Sequence, residues 1–127
     1  MTLFSSQDSK PKADKLKKLL DQKGIVVMPG CYDALSAKLI EREGINVGFM
    51  SGFAVSSTRL GMPDAGLISF SEMAEQVRNI CNVTSIPIIF DGDTGYGNAV
   101  NVYRTVIGML ELKQRPKHIA CFASFSD

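Results

Sequence analysis

Ile86-Pro87-Ile88-Ile89-Phe90-Asp91-Gly92-Asp93-Thr94-Gly95-Tyr96-Gly97 reads as a short apolar strand running straight into a loop of acids and glycines. The apolar run is too short for a helix, and Pro87 sits at its start, where a strand tolerates the missing N–H. A strand without polar alternation is buried on both faces, as parallel strands covered by helices are. Asp91 and Asp93 leave its C-terminal end at i and i+2, and in an extended backbone such side chains point the same way. Converging carboxylates attract a hard divalent cation. Mg²⁺ suits a site of one or two carboxylates completed by water and substrate oxygens. The competing reading is a tight turn that uses Asp and Gly only for their conformational tolerance. The loop is no EF-hand, because Tyr96 stands where glycine is required and Val102 where glutamate is. No GxxxxGK[ST] phosphate loop occurs.

The same grammar repeats upstream. Ile25–Met28 is an apolar run closed by Pro29-Gly30 and reads as a buried strand. Asp33 is placed to cap a helix over 34–43, ended by Gly44. Val47–Met50 reads as a second strand, followed by a Gly/Ser-rich loop from Ser51 to Gly66. Ser69 and Glu72 have capping-box spacing ahead of a helix that reaches about Cys81. After the third strand a last helix is expected from about Asn98 to Leu112, weakened by Gly108. Before the first strand, Ala13, Leu16, Leu19 and Leu20 recur at helical spacing, so residues 1–24 form an N-terminal amphipathic helical segment ended by Gly24. Its six lysines between Lys10 and Lys23 read as a solvated face rather than a membrane or nucleic-acid patch.

One helix followed by about three strand–helix units builds a parallel α/β sheet. The sheet is either an open doubly wound one or an arc of a (β/α)₈ barrel, whose usual length is about 250 residues. Both architectures place ligands at the C-terminal ends of the strands. The chain's polar and glycine-rich residues gather there: Tyr32 and Asp33, then Ser51 and Gly52, then Asp91 to Gly97.

Composition narrows the function classes. The 127 residues are 45% hydrophobic and 21% charged with a net charge of +1, a globular composition without the basic excess of a dedicated nucleic-acid binder. No apolar run approaches the roughly 18–20 residues that span a bilayer. Neither a signal peptide nor a clear transit peptide is read at the N-terminus, so a cytoplasmic location is expected, with a mitochondrial one as the alternative. The three cysteines, Cys31, Cys81 and Cys121, form no CxxC pair and indicate neither zinc nor a disulfide framework. His118, the single histidine, stands beside Lys117 in the tail and suggests no catalytic triad.

Three further groups carry possible chemistry. Ser51-Gly52-Phe53 follows a strand, so its backbone N–H groups and hydroxyl suit a carboxylate or phosphate. Asp64, in Gly61-Met62-Pro63-Asp64-Ala65-Gly66, is a loop acid able to reach toward Asp91 and Asp93. Tyr32 offers a phenol to a substrate carboxylate or carbonyl. Each has a bland counterpart: a structural turn, an exposed turn acid, and a neighbour of the Asp33 cap.

Taken in order, Met28-Pro29-Gly30-Cys31-Tyr32-Asp33-Ala34-Leu35-Ser36-Ala37, Ser51-Gly52-Phe53-Ala54-Val55, Leu60-Gly61-Met62-Pro63-Asp64-Ala65-Gly66-Leu67, the 91–99 loop and Asn101-Val102-Tyr103-Arg104-Thr105-Val106 resemble the isocitrate lyase/phosphoenolpyruvate mutase superfamily. The methylisocitrate lyase-like and carboxyphosphonoenolpyruvate mutase-like branches are nearest. The resemblance implies a (β/α)₈ barrel and a Mg²⁺-dependent carbon–carbon lyase acting on a small 2-hydroxy- or 2-keto-carboxylic acid through a keto-acid enolate. P–C bond mutase chemistry is the alternative. It further implies Asp91 and Asp93 as metal-site acids, Asp91 also near the substrate, and Asp64 on a gating loop. Ser51, Gly52 and Phe53 would hold the substrate carboxylate, with Tyr32 beside the substrate. Gly92 stands where the family usually has alanine.

Past about Val106 the resemblance implies a fourth strand with a metal-site glutamate and a Lys-[Lys/Arg]-Cys-Gly-His loop. Residues 107–127 read instead as a divergent tail with no further strand–helix unit, and Cys121 lacks the following Gly-His. Residues 25–106 thus read as the N-terminal half of such a barrel. A sheet with two open edges is expected to be unstable alone, or to pair as a homo-oligomer or with a full-length paralogue. Its turnover is expected to be negligible. A non-catalytic docking chain and a small doubly wound domain binding a phosphorylated metabolite are the other function classes.

Overall fold

The computed structural model describes residues 10–113 and 120–123. His118 therefore lies outside the described residues. The elements, in chain order, are α1 (Lys10–Leu20), β1 (Gly30–Cys31), α2 (Ala34–Arg42), β2 (Gly48–Met50), α3 (Gly52–Leu60), α4 (Phe70–Val83), β3 (Ile88–Asp91), α5 (Ala99–Lys113) and β4 (Ala120–Ala123). The strands form one parallel sheet in the order β1-β2-β3-β4. Each strand pairs with the next in sequence, so the order contains no reversal of the kind that marks a doubly wound sheet.

The helices begin where side chains replace missing backbone partners. Asp33 accepts from the Ser36 N–H at 2.7 Å, and the Ser36 hydroxyl accepts from the Asp33 N–H at 3.1 Å, closing a capping box on α2. Ser69 and Glu72 do the same for α4, with the Ser69 N–H and hydroxyl donating to Glu72 Oε2 at 2.8 and 2.7 Å. The Ser69 backbone bond and then its hydroxyl hold the Glu72 carboxyl below the usual range. Stability from this pair is therefore present above the unfolded-state value and fades as pH falls through the folded one. Ser69→Ala is expected to cost about 1 kcal/mol at neutral pH in urea denaturation, with the difference from wild type shrinking in acid.

The core lies between the sheet and the paired helices α2 and α4. Cys31, Met50, Ile88 and Phe90 from the strands meet Ala37 and Ile40 of α2 and Met73, Val77, Ile80 and Cys81 of α4, all buried. Cys31 and Cys81 are both buried, and neither is in a disulfide. Arg59 ties α3 to α4 through Glu75 at 2.6 Å. Glu41 of α2 accepts from the Ser85 backbone N–H at 2.8 Å, and from its hydroxyl, just ahead of β3.

Three expectations are corrected. Ile25–Met28 is not a strand: pairing begins at the Pro29 carbonyl, which accepts from the Phe49 N–H at 3.0 Å. A parallel strand needs a neighbour, and this run has none among the described residues, so Ile25 is 94% exposed. The Ser51–Gly66 stretch is not all loop. It contains α3, capped by Ser51 and ended by Gly61 at φ +63°. Serine, glycine and threonine give it weak intrinsic propensity, and its caps and tertiary packing override that. Finally, a fourth strand exists: Ala120–Ala123 pairs in parallel with Ile88–Asp91.

Among the described residues no helix is long and apolar enough to cross a membrane.

Candidate functional site

Three strands deliver their C-terminal ends to one rim of the sheet: Cys31 leads into Tyr32, Met50 into Ser51, and Phe90 into Asp91. Ser51 accepts from the Ala54 N–H at 3.5 Å and so starts α3 at the rim. The N–H groups of Gly52 and Phe53 are in the first turn of that helix, where no intrahelical acceptor exists. Such N–H groups at a helix start are the kind that receive anions.

Gly52 is buried because two acids close over it. A Cβ built there would lie 3.2 Å from Asp91 Oδ2 and 3.3 Å from Asp64 Oδ2. The missing side chain therefore leaves a cradle bordered by both carboxylates. Asp64 is brought to it by a buried hydroxyl: Ser56 on α3 donates to the Met62 and Pro63 carbonyls at 3.3 and 3.2 Å, which pins the loop just before the acid.

The loop after β3 is built as a turn rather than as an extension of the strand. Asp91 Oδ1 accepts from the Asp93 N–H at 2.9 Å, and Asp93 has φ +48°. The extended i, i+2 geometry expected from the sequence is thus absent, and a side-chain-closed turn groups the acids instead. Helix α5 shapes this loop from behind. Thr105 is buried and donates to the Gly95 carbonyl at 3.0 Å. Gly95 has φ +90°, and a Cβ there would meet Val102 Cγ2 at 2.6 Å. Tyr96 adopts φ +63°, and its ring lies against Phe70 with centroids 5.8 Å apart.

Electrostatics report the grouping of the acids. Desolvation, then the charges of Asp93 and Asp91, raise the Asp64 carboxyl above its ordinary value. Burial, then the charges of Asp93, Asp91 and Asp64, push the Tyr96 phenol up. Repulsion of this kind favours the protonated acid in the folded state, so its benefit is present at low pH and lost as pH rises. Asp64→Asn mimics the protonated acid. It is expected to raise stability slightly at neutral pH, by no more than about 0.5 kcal/mol for so exposed a group, and to change nothing in acid. Thermal unfolding at both pH values checks this.

All side-chain donors at the cradle are hard oxygens, which suits Mg²⁺ over soft-metal chemistry. Among the described residues no cluster of three or more His, Cys, Asp and Glu is arranged to hold a metal. A hard cation held here would therefore have to draw most of its ligands from water and from a bound ligand's oxygens. Beside it a cavity of about 530 Å³ is lined by Asp93, Thr94, Tyr96, Phe70, Asn101 and Arg104, among others.

The structure brings Ser51, Gly52, Asp64, Asp91 and Asp93 to this rim. Phe53 is 61% exposed. Tyr32 lines a separate cavity of about 200 Å³ with Asp33, Val55, Thr58, Arg59 and Gln76. Burial pushes the thiol of Cys31, one residue before it, up to about 11, which disfavours the thiolate. Ser56 carries no signal in the sequence, and Tyr96 and Thr105 stand there only inside longer stretches with no role of their own. Thr105 lies ten positions after Gly95, and only the helical repeat Asn101, Val102, Thr105 hints at a face turned to the loop.

Against known proteins, the family model described as phosphoenolpyruvate phosphomutase matches residues 16–114. The chain belongs to the phosphoenolpyruvate phosphomutase family. Within the isocitrate lyase/phosphoenolpyruvate mutase superfamily, it is 50% identical over 93 residues to the chloroplastic carboxyvinyl-carboxyphosphonate phosphorylmutase of Arabidopsis thaliana, covering 72% of this chain and 27% of that protein. It is 46% identical over 94 residues to 2,3-dimethylmalate lyase of Eubacterium barkeri, covering 74% and 32%. Among solved structures, phosphonopyruvate hydrolase with oxalate and Mg²⁺ superposes with a TM-score of 0.73 at 36% identity, over 80% of this chain and 36% of that one. Oxaloacetate acetylhydrolase gives a TM-score of 0.73 at 34% identity, over 80% and 37%. The chain thus spans about a third of the length of the family members it matches. These relatives are lyases, mutases and hydrolases by name, and the chain shares their α/β fold with a parallel sheet.

Proposed function

We propose that this chain is the magnesium- and substrate-binding part of a carbon–carbon lyase that acts on a small 2-hydroxy- or 2-keto-carboxylic acid. Residues 25–106 form the corresponding arc of a (β/α)₈ barrel, a reading supported by the unbroken β1-β2-β3-β4 order. The observation that carries the proposal is the cradle at Gly52, faced by the carboxylates of Asp91 and Asp64. Asp91 and Asp93 would hold Mg²⁺. When bound, that ion supplies Lewis acidity that polarises keto and carboxylate oxygens and stabilises developing enolate charge.

The chain's own residues do the rest. Ser51, Gly52 and Phe53 receive the substrate carboxylate on the first turn of α3. Asp64 approaches from its loop, tethered through Ser56, and helps to cover the cradle. For Tyr32 to present its phenol to the same ligand, its ring must turn from the cavity it lines with Arg59 and Gln76.

The relatives named for 2,3-dimethylmalate, 2-methylisocitrate and oxaloacetate support this substrate class. P–C bond chemistry is the second reading, favoured by the 50% identity to a phosphorylmutase. This chain on its own is proposed to bind without normal turnover, either as a homo-oligomer or beside a longer paralogue. The test is amide-resolved NMR of the full chain with Mg²⁺ and pyruvate. Magnesium-dependent shifts at Gly52, Phe53 and Asp91–Tyr96 support the proposal, and an unchanged spectrum contradicts it.

A further inference from the structure

Gly108 sits inside α5, where a glycine weakens a helix without local gain. The space it leaves is filled by another helix. A Cβ at Gly108 would lie 2.8 Å from Phe70 Cζ and 3.2 Å from Cε1. Phe70 is the first residue of α4, fixed in direction by the Ser69–Glu72 capping box. Phe70 lines two cavities. The front one, about 530 Å³, also touches Asp93 and Tyr96. The rear one, about 300 Å³, is lined by Ala74, Arg78, Gly108, Glu111 and Leu112. Beyond its packing on the core, the ring meets two surfaces: the bare backbone at Gly108 and the ring of Tyr96, tilted at 55° with centroids 5.8 Å away. Tyr96 in turn holds φ +63°, a costly conformation for a bulky residue that persists only when its surroundings enforce it. It stands three residues after Asp93, in the turn that groups the acids.

We propose that Gly108 and Phe70 are positioning residues for the acid loop: the ring seated on Gly108 holds Tyr96, and with it the Asp91–Gly97 turn, in the conformation that receives the cation. The inference rests on the reading of Asp91 and Asp93 as the cation's ligands. Neither Gly108 nor Phe70 needs to touch the ion. The device is a contact path from the middle of α5, through the start of α4, to the loop after β3.

Gly108→Ala tests the path, because alanine favours the helix while its methyl displaces the ring. In magnesium-free full chain, the amide resonances of Asp93–Gly97 are expected to move, although none of these residues is substituted. The dissociation constant for Mg²⁺, read by calorimetry, is expected to rise about 10-fold, the scale of losses outside a metal's ligand sphere. Phe70→Leu, which removes the ring end but keeps an apolar side chain, is expected to weaken binding similarly. Adding Gly108→Ala to it should then cost little more, since the two act through one contact. Unmoved amides, with Mg²⁺ affinity within about twofold of wild type and additive effects in the double variant, would overturn the proposal. Moved amides in a chain that binds no Mg²⁺ in any form would uphold the path and overturn the functional reading instead.

Discussion

Asp91→Ala is expected to weaken Mg²⁺ binding by at least about 100-fold, since losses even beyond the ligand sphere cost metal sites 10- to 100-fold. The residue has two jobs that separate by substitution. Its Oδ2 borders the Gly52 cradle, while its Oδ1 accepts the Asp93 N–H and closes the turn. Alanine removes both. Asp91→Asn keeps an oxygen for the turn and removes the charge. The asparagine variant is therefore expected to lose Mg²⁺ binding without losing stability, because it also relieves the repulsion felt by Asp64. Calorimetric titration with Mg²⁺ beside urea denaturation reads the two effects independently. A variant that loses stability but keeps its affinity would assign Asp91 to the turn alone.

The largest effect on stability is expected at Gly95. Gly95→Ala meets two obstacles together. The backbone sits at φ +90°, and the new methyl falls 2.6 Å from Val102 Cγ2 and 3.3 Å from Val102 Cα. The second of these is backbone and cannot swing aside. The expected cost is about 3 kcal/mol, read as a lower urea midpoint with an unchanged slope. Gly61→Ala is the control. Gly61 also has positive φ, at +63°, but a Cβ there meets nothing within 4 Å. Its cost should be conformational only, about 1 kcal/mol. Equal losses at the two positions would mean that the fit of the acid loop on α5 contributes little.

Much of the rim could be read from the sequence because local chemistry fixed it. The Asp33 and Ser69 caps and the strand into Asp91 follow from short-range patterns that tertiary packing had no reason to override. The errors came where long-range partners decide. Ile25–Met28 is apolar enough for a buried strand, but a strand exists only beside a neighbour. Helix α3 was hidden by weak propensity and is fixed by its Ser51 and Gly61 ends. The fourth strand is made by pairing with β3 and carries no motif in its own residues. In the site, the acids and the reach of Asp64 toward them follow from the sequence, and the backbone that groups Asp91 with Asp93 does not. The i, i+2 spacing suggested extended backbone, whereas the Asp91–Asp93 hydrogen bond and a positive φ build a turn. Gly52 is expected from the sequence to offer its backbone N–H to a carboxylate, and nothing local shows which side chains surround it. Its meaning appears only when Asp64, twelve residues on, and Asp91 arrive on either side of it.

The most direct measurement is calorimetric titration of the full chain with Mg²⁺ and with oxalate, each alone and then together. Oxalate mimics the planar face of a keto-acid enolate, and one family relative has been crystallised with it and Mg²⁺. The account predicts saturable Mg²⁺ binding, oxalate binding that appears only once Mg²⁺ is present, and loss of both in Asp91→Asn. Oxalate binding indifferent to Mg²⁺, or no Mg²⁺ heat in the intact chain, would contradict it.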